Sequence, residues 1–563
     1  MIKNTQSSSS NIVELGDLKI LFDKEDYDLL EIKTKSLIKK YPNVPMLYNI
    51  LGVSQSSRKM FKEAIVNFNK AIKLNPKLLD AYNNLGIALK NCGELLKSFN
   101  VFQDALKIDP NHHLSNFNLG DLYAKFNEIE KATNCFKKTI NSKPDFSLAY
   151  STYLFFINYS DRYDSNFYYN EALGYSKSIK RLDRNSLIPF KYNKSTTKLK
   201  VGFVSSDLRN HPIGYFLFET IKYLKDMNLE LVAYSNLIKK DEDSLTYELK
   251  DFFSQWHQVK SMSDLELINL IRQDKINLLI DLSGHSAKSR LPIFINKPAP
   301  LQITWAGYLD TTGLKEIDYI IADPFVVDKN QESLFVEKVW RLPDIWNSFS
   351  QPNYNIKVGT LPAIKNKFIT FGSFNHLNKM NNSVIKLWST LLKKIPKSKL
   401  FLKYRNLLDN DFYKNSIINK FNNCGINQDQ LILEGSSSRR ENLLKTYNRI
   451  DISLDPFPYS GTTTNFGSIW MGVPVLVLKG KKFISKCGES INHNLGMSDW
   501  IAKNDEDFIS KAVGFCSDYK KLSDLRANLR HKALNSPLFD TKKFAKNFHE
   551  ALWKMWKIFL NKN

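Results

Sequence analysis

A period of 34 residues governs the N-terminal quarter of this chain of 563 residues. The steps are marked by prolines at Pro42, Pro76, Pro110 and Pro144. Leu-Gly pairs at 51–52, 85–86 and 119–120 keep the same step, as do phenylalanines at positions 68, 102 and 136. Small residues suit points where two helices cross closely, a phenylalanine fills the gap, and a proline ends each unit. The period therefore predicts a stack of helix pairs.

This pattern resembles tetratricopeptide repeats, which have the same period. We expect three repeats over 42–144, with a polar tail and a degenerate repeat over 1–41. Such helix pairs stack into a superhelix with a concave groove. One use of the groove is to bind an extended segment of a partner protein. The alternative is a scaffold surface through which the chain forms a homo-oligomer.

Bulk composition narrows the class of protein. The hydrophobic fraction is 43%, which is ordinary for a soluble globular chain. The sequence contains no apolar run of about 18 residues, so we expect no membrane span. The polar start, MIKNTQSSSSN, does not read as a signal peptide, and the five cysteines form no CxxC pair. These features predict a cytoplasmic protein with reduced thiols and no zinc site.

The formal charge of +23 comes mostly from lysines spread along the whole chain. A basic surface can bind nucleic acid. The sequence argues against that use, because it contains no basic block with interleaved aromatic residues and no nucleic-acid-binding motif. The remaining interpretations are a solvated surface, or affinity for acidic proteins and nucleotide phosphates.

After a helical connector and linker at 145–198, strands alternate with amphipathic helices. This pattern predicts parallel sheets covered by helices on both faces. We expect one such domain at 199–355, a second at 356–537, and an amphipathic C-terminal helix at 538–563. The predicted fold class is therefore an all-α repeat region followed by two Rossmann-like α/β domains.

The stretch ISLDPFPYSGTTTNFGSIWMGVPVLVL at 452–478 reads as strand, loop, helix and strand. Gly461 lies in the loop, and Thr462, Thr463 and Thr464 stand where the helix begins. The first N–H groups of a helix lack internal partners and its dipole is positive there, so a phosphate or diphosphate fits. A simple threonine N-cap is the alternative.

Polar residues also follow other predicted strands. His211 comes after 199–205, His285 after 277–282, and Lys379 after 368–373. Ligands bind outside the carboxyl ends of parallel strands, which makes both histidines candidates for a site. Lys379 is placed to reach a phosphate as a point charge, although a surface lysine is the plain alternative.

These motifs, in this order, make the chain similar to the O-GlcNAc transferase/Spindly family, which is glycosyltransferase family 41. The motifs that carry the resemblance are VGFVSSDLRNHPIGYF at 201–216, DLSGHSAKSRLPIF at 281–294, KPAPLQITWAGYLDTTGLKEIDYIIAD at 297–323, FGSFNHLNKM at 371–380 and DPFPYSGTTTNFGSIWMGVPVLVL at 455–478. The resemblance covers nearly the whole chain from about residue 42.

The resemblance implies a GT-B architecture, with two Rossmann-like domains facing across a cleft. It also implies transfer of a sugar, typically GlcNAc from UDP-GlcNAc, to Ser or Thr hydroxyls of proteins. The anomeric centre is inverted, and neither a metal nor another cofactor takes part. The sequence shows no DxD-like pair in a suitable loop, in agreement with that implication.

The resemblance also assigns roles to residues. His211 lines the site as the candidate general base, and Lys379 stabilises the leaving diphosphate. The residues implied to bind the nucleotide sugar are His376, Lys379, Arg440, Gly461, Thr462, Thr463 and Thr464. Those implied on the sugar and acceptor side are His285, Tyr308, Thr311 and Thr312.

The chain departs from the family pattern at three places. Gly467 stands where members tend to have an acidic residue that contacts the nucleotide, and Asn442 where they often have a histidine. The usual Gly-Tyr-Pro-Gly loop reads GYLD at 307–310. A different donor such as GDP-fucose, which Spindly-type relatives use, is therefore one alternative. A degenerate fold that acts as a protein-binding scaffold is another, and a transferase with a glycan acceptor is a third.

Overall fold

The computed structural model describes residues 9–190, 192–404, 411–435 and 439–562. These residues form two compact units, of which one ends at Ala149 and the other begins at Tyr150. No helix in the described ranges is both long and apolar enough to span a bilayer. The domain limits given above stay predictions.

The first unit consists of antiparallel helix pairs. They are α1 (Ser9–Asp23) with α2 (Tyr27–Lys40), α3 (Pro45–Ser57) with α4 (Phe61–Leu74), α5 (Leu79–Asn91) with α6 (Leu95–Ile108), and α7 (His113–Lys125) with α8 (Ile129–Ser142). Amphipathic helices of this length bury one face against the next helix, which is what the repeat predicted.

The repeated glycine and phenylalanine meet inside each of the three repeat units. A Cβ at Gly86 would lie 2.4 Å from a ring carbon of Phe102. The equivalent distance is 2.6 Å for Gly52 with Phe68 and 2.7 Å for Gly120 with Phe136. Since no side chain fits there, glycine sets the close crossing of the two helices and the ring fills the space between them.

The second unit contains two parallel sheets. The first has the order β3-β2-β1-β4-β5-β6-β7 and the second the order β10-β9-β8-β11-β12-β13. The strands are β1 (Leu199–Ser205), β2 (Leu229–Ser235), β3 (Gln255–Gln258), β4 (Leu278–Asp281), β5 (Leu301–Thr304), β6 (Tyr319–Ala322), β7 (Lys338–Arg341), β8 (Thr370–Ser373), β9 (Lys399–Lys403), β10 (Leu431–Glu434), β11 (Ile452–Leu454), β12 (Val475–Leu478) and β13 (Ile501–Ala502). The predicted order of a repeat region and two α/β sheets is confirmed.

Helices connect and cover these strands. They are α9 (Ser147–Ile157), α10 (Ser165–Tyr175), α11 (Pro212–Leu224), α12 (Ser244–Lys250), α13 (Asp264–Gln273), α14 (Pro362–Asn366), α15 (Asn382–Lys394), α16 (Asp411–Asn422), α17 (Arg440–Thr446), α18 (Thr463–Trp470), α19 (Cys487–Asn494), α20 (Asp505–Ser517), α21 (Tyr519–Leu534) and α22 (Thr541–Lys562). The central strands are almost entirely buried, as expected for parallel sheets with helices on both faces.

The sequence interpretation missed two edge strands. Strands β3 and β7 were not predicted, because QWHQ and KVWR are half exposed and lack the apolar run of a buried strand. Among the helices, Asp518 separates α20 from α21 and caps α21 through its side chain, which is favourable for an aspartate.

The C-terminal helix α22 crosses from the second sheet back to the first. Its Phe548 ring lies 4.4 Å from the ring of Trp305, which follows β5. It also packs along α11. The amphipathic pattern of this segment predicted a buried apolar face, and the structure shows that the first sheet covers that face.

Candidate active site

Asp455, directly after β11, organises the loop that leads to α18. Its buried carboxylate accepts hydrogen bonds from the Gly461 N–H at 2.6 Å and from the Ser460 hydroxyl. The Ser460 oxygen in turn accepts from the Gly488 N–H at 2.9 Å. Burial raises the pKa of Asp455 to about 6. The aspartate that ends the predicted strand therefore fixes the path of the loop.

Gly461 lets the loop pass close to the first turn of α18. A Cβ at this position would lie 2.5 Å from Thr464 Oγ1 and 2.6 Å from Asn465 Oδ1. Distances below 3.0 Å would force the surrounding atoms to move. The glycine is therefore a requirement of packing, whatever it also contributes to ligand approach.

The N-terminus of α18 is not satisfied by its own side chains. The helix begins at Thr463, and the preceding Thr462 makes no side-chain cap hydrogen bond. The Thr463 hydroxyl is buried without a hydrogen-bond partner among the described residues. Buried polar atoms without partners are rare in native proteins. The helix dipole and this hydroxyl together favour an anion at that point.

Lys379 supplies a positive charge at the same loop. Its ammonium donates to the Ser460 carbonyl at 2.9 Å and to Asn375 Oδ1 at 3.2 Å. It also lies 4.5 Å from the centroid of the Tyr459 ring. Burial lowers the pKa of Lys379 to about 8, against the opposing effect of the charges of Asp455 and Cys487. An anionic ligand would stabilise the charged form.

Asn375 links this lysine to α18. Its Oδ1 accepts from Lys379 and also from the Thr464 hydroxyl at 3.0 Å. We call the group Lys379, Asn375, Tyr459, Ser460, Thr463 and Thr464 the Lys379 site. The sequence had predicted its lysine and threonines but not Asn375 or Tyr459. The FNH and PYS motifs that contain them were the available signal.

Two residues predicted to bind the nucleotide, His376 and Arg440, pack against aromatic rings. The His376 ring is 4.5 Å from that of Tyr404, and its Nδ1 accepts from the Asn378 N–H at 3.1 Å. Arg440 begins α17, and its guanidinium lies 3.5 Å from the ring centroid of Tyr215 on α11. The predicted helix start at Ser436 falls outside the described residues.

The position that lacks the expected acid lies in the second turn of α18. A Cβ at Gly467 would make ordinary contacts, 3.4 Å from Leu444 Cδ2 and 3.6 Å from the Tyr447 ring. The Tyr447 hydroxyl donates to the Thr464 carbonyl at 3.0 Å. Gly467 therefore borders α17, which carries Asn442. Space for a short side chain exists there.

On the first sheet, His285 and the threonines are engaged within the protein. His285 is buried, with Nδ1 2.8 Å from Ser151 Oγ and Nε2 3.0 Å from the Thr312 carbonyl. Burial lowers the pKa of His285 to about 3, so the ring is neutral. Since Nε2 must donate to the carbonyl, Nδ1 accepts from Ser151.

Glu337 accepts hydrogen bonds from both Thr311 and Thr312. Its buried carboxylate accepts from the Thr311 hydroxyl at 2.6 Å, from the Thr312 N–H at 2.8 Å and from the Thr312 hydroxyl. Sequence reasoning missed Glu337, which precedes the edge strand β7 and belongs to no motif. Tyr308 is likewise buried and accepts from Asn158 Nδ2 at 3.0 Å. The predicted acceptor-side residues are thus held mainly by other residues of the protein, namely Ser151, Asn158 and Glu337.

His211 caps α11 at the carboxyl end of β1. Its Nδ1 accepts from the Ile213 N–H at 3.4 Å and lies 3.9 Å from Asp207 Oδ1. The next turn of α11 reaches the second sheet, where Phe216 lies 6.0 Å from Phe466 of α18. The helices that carry His211 and the threonine run are therefore neighbours.

Within the described ranges, no group of three or more His, Cys, Asp or Glu side chains is arranged to hold a metal ion. The ammonium of Lys379 provides the positive charge at the Lys379 site. The geometry therefore offers hydrogen-bond donors and a positive charge for an anion such as a diphosphate.

Comparisons with known proteins identify the family of this chain. The profile of glycosyl transferase family 41 matches residues 176–349 and 357–548, more than half of the chain. Tetratricopeptide repeat profiles match residues 57–93, 79–112 and 114–146. The chain belongs to glycosyl transferase family 41, as its motifs predicted.

Two similar proteins are plant enzymes named as probable UDP-N-acetylglucosamine–peptide N-acetylglucosaminyltransferases. SPINDLY of Solanum lycopersicum is 32% identical over 361 residues, which are 64% of this chain and 39% of that protein. SEC of Arabidopsis thaliana is 29% identical over 381 residues, 66% of this chain and 38% of that protein. The chain thus spans well under half of the length of these relatives.

A solved structure resembles nearly the whole chain. It is an O-GlcNAc transferase of Thermobaculum terrenum, solved as a lysine-to-methionine mutant. The TM-score is 0.80 at 27% identity, over 92% of this chain and 98% of that one. The two chains therefore share their fold over this length.

Proposed function

We propose that this chain transfers a sugar from a nucleotide donor, GlcNAc from UDP-GlcNAc, to Ser and Thr hydroxyls of proteins. Family membership and the names of the relatives support this class of reaction. The observation that carries the proposal is the Lys379 site. There a buried ammonium, an uncapped helix N-terminus and a buried hydroxyl without a partner meet at one loop.

In the proposed reaction the acceptor hydroxyl attacks the anomeric carbon from the side opposite the diphosphate. The new C–O bond forms as the bond to the β-phosphate breaks, so the configuration inverts. UDP leaves with the bonding electrons, and the acceptor proton passes to a base. Lys379 and the N-terminus of α18 stabilise the charge that develops on the leaving diphosphate, a role that other transferases can give to a metal.

His211 is the proposed base, and its geometry suggests a sharper test of that role. If Nδ1 accepts from Ile213, the proton of the neutral ring is on Nε2. Such a ring donates a hydrogen bond to the substrate, whereas a base needs Nδ1–H directed at Asp207. His211→Gln should keep activity well above that of His211→Ala if donation is the role, and should match it if proton transfer is the role. The readout is kcat with a fixed acceptor peptide.

The tetratricopeptide repeats are proposed to bind acceptor proteins, because superhelical repeats present a long concave surface. Assembly through the repeats is the second proposed use of that surface. We also propose a cytoplasmic location, supported by five cysteines that are free in the structure.

The first experiment is calorimetric titration with UDP, UDP-GlcNAc, GDP and GDP-fucose in the absence of metal. We expect UDP and its sugar conjugate to bind, and Lys379→Met to weaken both. Lys386→Met, which changes an exposed lysine of the adjacent α15, is the matched control. Unchanged affinity in Lys379→Met would contradict the proposal.

A second candidate, a transferase with a different donor, is favoured by Gly467. The room beside it and the absent carboxylate alter the wall formed by α17 and α18. Preference for GDP-fucose in the same titration would support this candidate. Binding of no nucleotide would instead favour a scaffold whose working part is the repeats.

A further inference from the structure

Lys482, which follows β12, is a buried lysine whose ammonium has no hydrogen-bond partner among the described residues. It is 6% exposed, and its ammonium makes no hydrogen bond with any described residue. The cost of burying a charge without a hydrogen bond is several kcal/mol, so such a group needs an explanation. Burial lowers the pKa of Lys482, while the charges of Asp310 and Asp164 act to raise it.

Asp310, after β5 of the other sheet, is the main charge that faces Lys482. It is also 6% exposed, and one carboxylate oxygen accepts from the Thr311 N–H at 2.9 Å. Lys482 lies 6.0 Å from the ring centroid of Tyr168, and the Tyr168 hydroxyl donates to the Thr311 carbonyl at 3.4 Å. The two charges therefore lie around one tyrosine without bonding to each other.

Their place in the fold is next to the Lys379 site. Both follow the carboxyl ends of parallel strands, where ligands bind in such sheets. Tyr308, two residues before Asp310, accepts from Asn158 Nδ2. The adjacent Tyr159 stacks on Tyr459 at 4.6 Å, and the ring centroid of Tyr459 lies 4.5 Å from the ammonium of Lys379. A sugar joined to a diphosphate at Lys379 would extend in this direction.

A carboxylate and an ammonium that face each other without contact are matched by a hydroxyl group. The hydroxyl donates its proton to the carboxylate and accepts from the ammonium, so it satisfies both at once. We propose that Asp310 and Lys482 form a subsite that binds a hydroxyl of the transferred sugar and so contributes to donor specificity. This assignment rests on the proposed transferase function. It concerns a residue that departs from the family pattern, because Asp310 stands where the Gly-Tyr-Pro-Gly loop has glycine.

The test compares the sugar conjugate with the free nucleotide. Calorimetry would measure the affinity for UDP-GlcNAc and UDP, and in parallel for GDP-fucose and GDP, in the wild type, Asp310→Asn and Lys482→Met. Both substitutions keep the size of the side chain, and melting temperatures would verify folding. Lys481→Met removes an exposed neighbouring lysine as the control.

We expect each substitution to weaken binding of the sugar conjugate by about 10- to 100-fold, the effect of losing a hydrogen bond to a charged group. Affinity for the free nucleotide should stay unchanged. Equal affinities of wild type and variants for the conjugate would overturn the subsite. So would equal losses for nucleotide and conjugate, which would mean that the pair only fastens the two sheets together. If the wild type binds no nucleotide at all, the proposed function fails as well.

Discussion

Two loops at strand ends of this chain both contain threonines, but the hydroxyl groups of those threonines differ in whether they have hydrogen-bond partners. In the loop at 307–313, the hydroxyls of Thr311 and Thr312 are both taken up by Glu337. In the loop at 455–464, the Thr463 hydroxyl has no hydrogen-bond partner among the residues that the structure describes, and Thr462 makes no side-chain cap to the helix that follows. The threonine hydroxyls of the first loop are satisfied by Glu337, whereas the second loop presents a hydroxyl without a partner among the described residues, next to Lys379.

The difference shows that a sequence motif can locate a polar loop without determining whether its polar groups bind a ligand or stabilise the fold. A buried hydroxyl that has a carboxylate partner stabilises the fold, and its loss leaves that carboxylate unpaired. A buried hydroxyl without a partner costs stability and is retained where a ligand completes it. The contrast therefore favours a structural role for Thr311 and Thr312 and supports the proposed ligand binding at the loop of the second sheet.

The strongest test of this contrast is the charge at the open loop. Lys379→Met should lower kcat for sugar transfer by about 10³-fold, because a preorganised donor to the leaving group is lost. The melting temperature should stay the same or rise, since burial disfavours this ammonium. Transfer assays with Lys386→Met as the control would measure the effect, and an active Lys379→Met enzyme would remove the basis for the assignment.

Glycine substitutions test how tightly the open loop is built. Gly461→Ala should weaken UDP binding by about 100-fold, because its Cβ would collide with Thr464 and Asn465 and displace the first turn of α18. Gly467→Ala should be tolerated and stabilise the helix by about 0.5–1 kcal/mol, since its Cβ makes ordinary contacts. Calorimetry and thermal unfolding on both variants would decide. Equal effects at the two glycines would show that the loop packing is not what matters.

The same substitution, threonine to valine, can be made in both loops and compares them directly. Thr463→Val should reduce UDP affinity about 10-fold with no loss of stability, because the hydroxyl bonds only to the ligand. Thr312→Val should leave UDP affinity unchanged and lower the free energy of unfolding by about 1–3 kcal/mol, since Glu337 loses a donor. The reverse pattern in denaturation and binding experiments would break the comparison.

The smallest effect is expected from pH. Lys379 must be charged to assist the leaving group, and its pKa of about 8 lies below the usual lysine value. The kcat/KM for the donor should therefore fall about 4-fold between pH 7 and pH 8.5 as the ammonium is lost. In this range an unfolded lysine keeps its proton, so the group adds stability as pH rises and unfolding does not explain the loss. A flat profile over that range would contradict the role of Lys379; Lys379→Arg should move the fall to higher pH.

The sequence alone was sufficient for the order of the fold. A 34-residue period with its Leu-Gly and Phe positions is typical of tetratricopeptide helix pairs, and apolar runs between amphipathic helices favour parallel sheets. The edge strands β3 and β7 were not predicted, because their residues are half exposed and show no such pattern. The motif residues Lys379, Gly461 and Thr463 follow β8 and β11, which pair in parallel and end at the same edge of one sheet.

The roles within the two loops were decided by tertiary structure. His285, Thr311 and Thr312 read as ligand contacts, but Ser151 and Glu337, distant in the chain, satisfy them. Asn375 and Tyr459 complete the Lys379 site, and Lys482 faces Asp310 from the other sheet. Sequence thus determined which residue types stand at the strand ends, because local propensity and periodicity act along the chain. Which of their polar groups remain open was decided by packing between segments far apart in sequence, because hydrogen bonding and burial depend on what lies nearby in space.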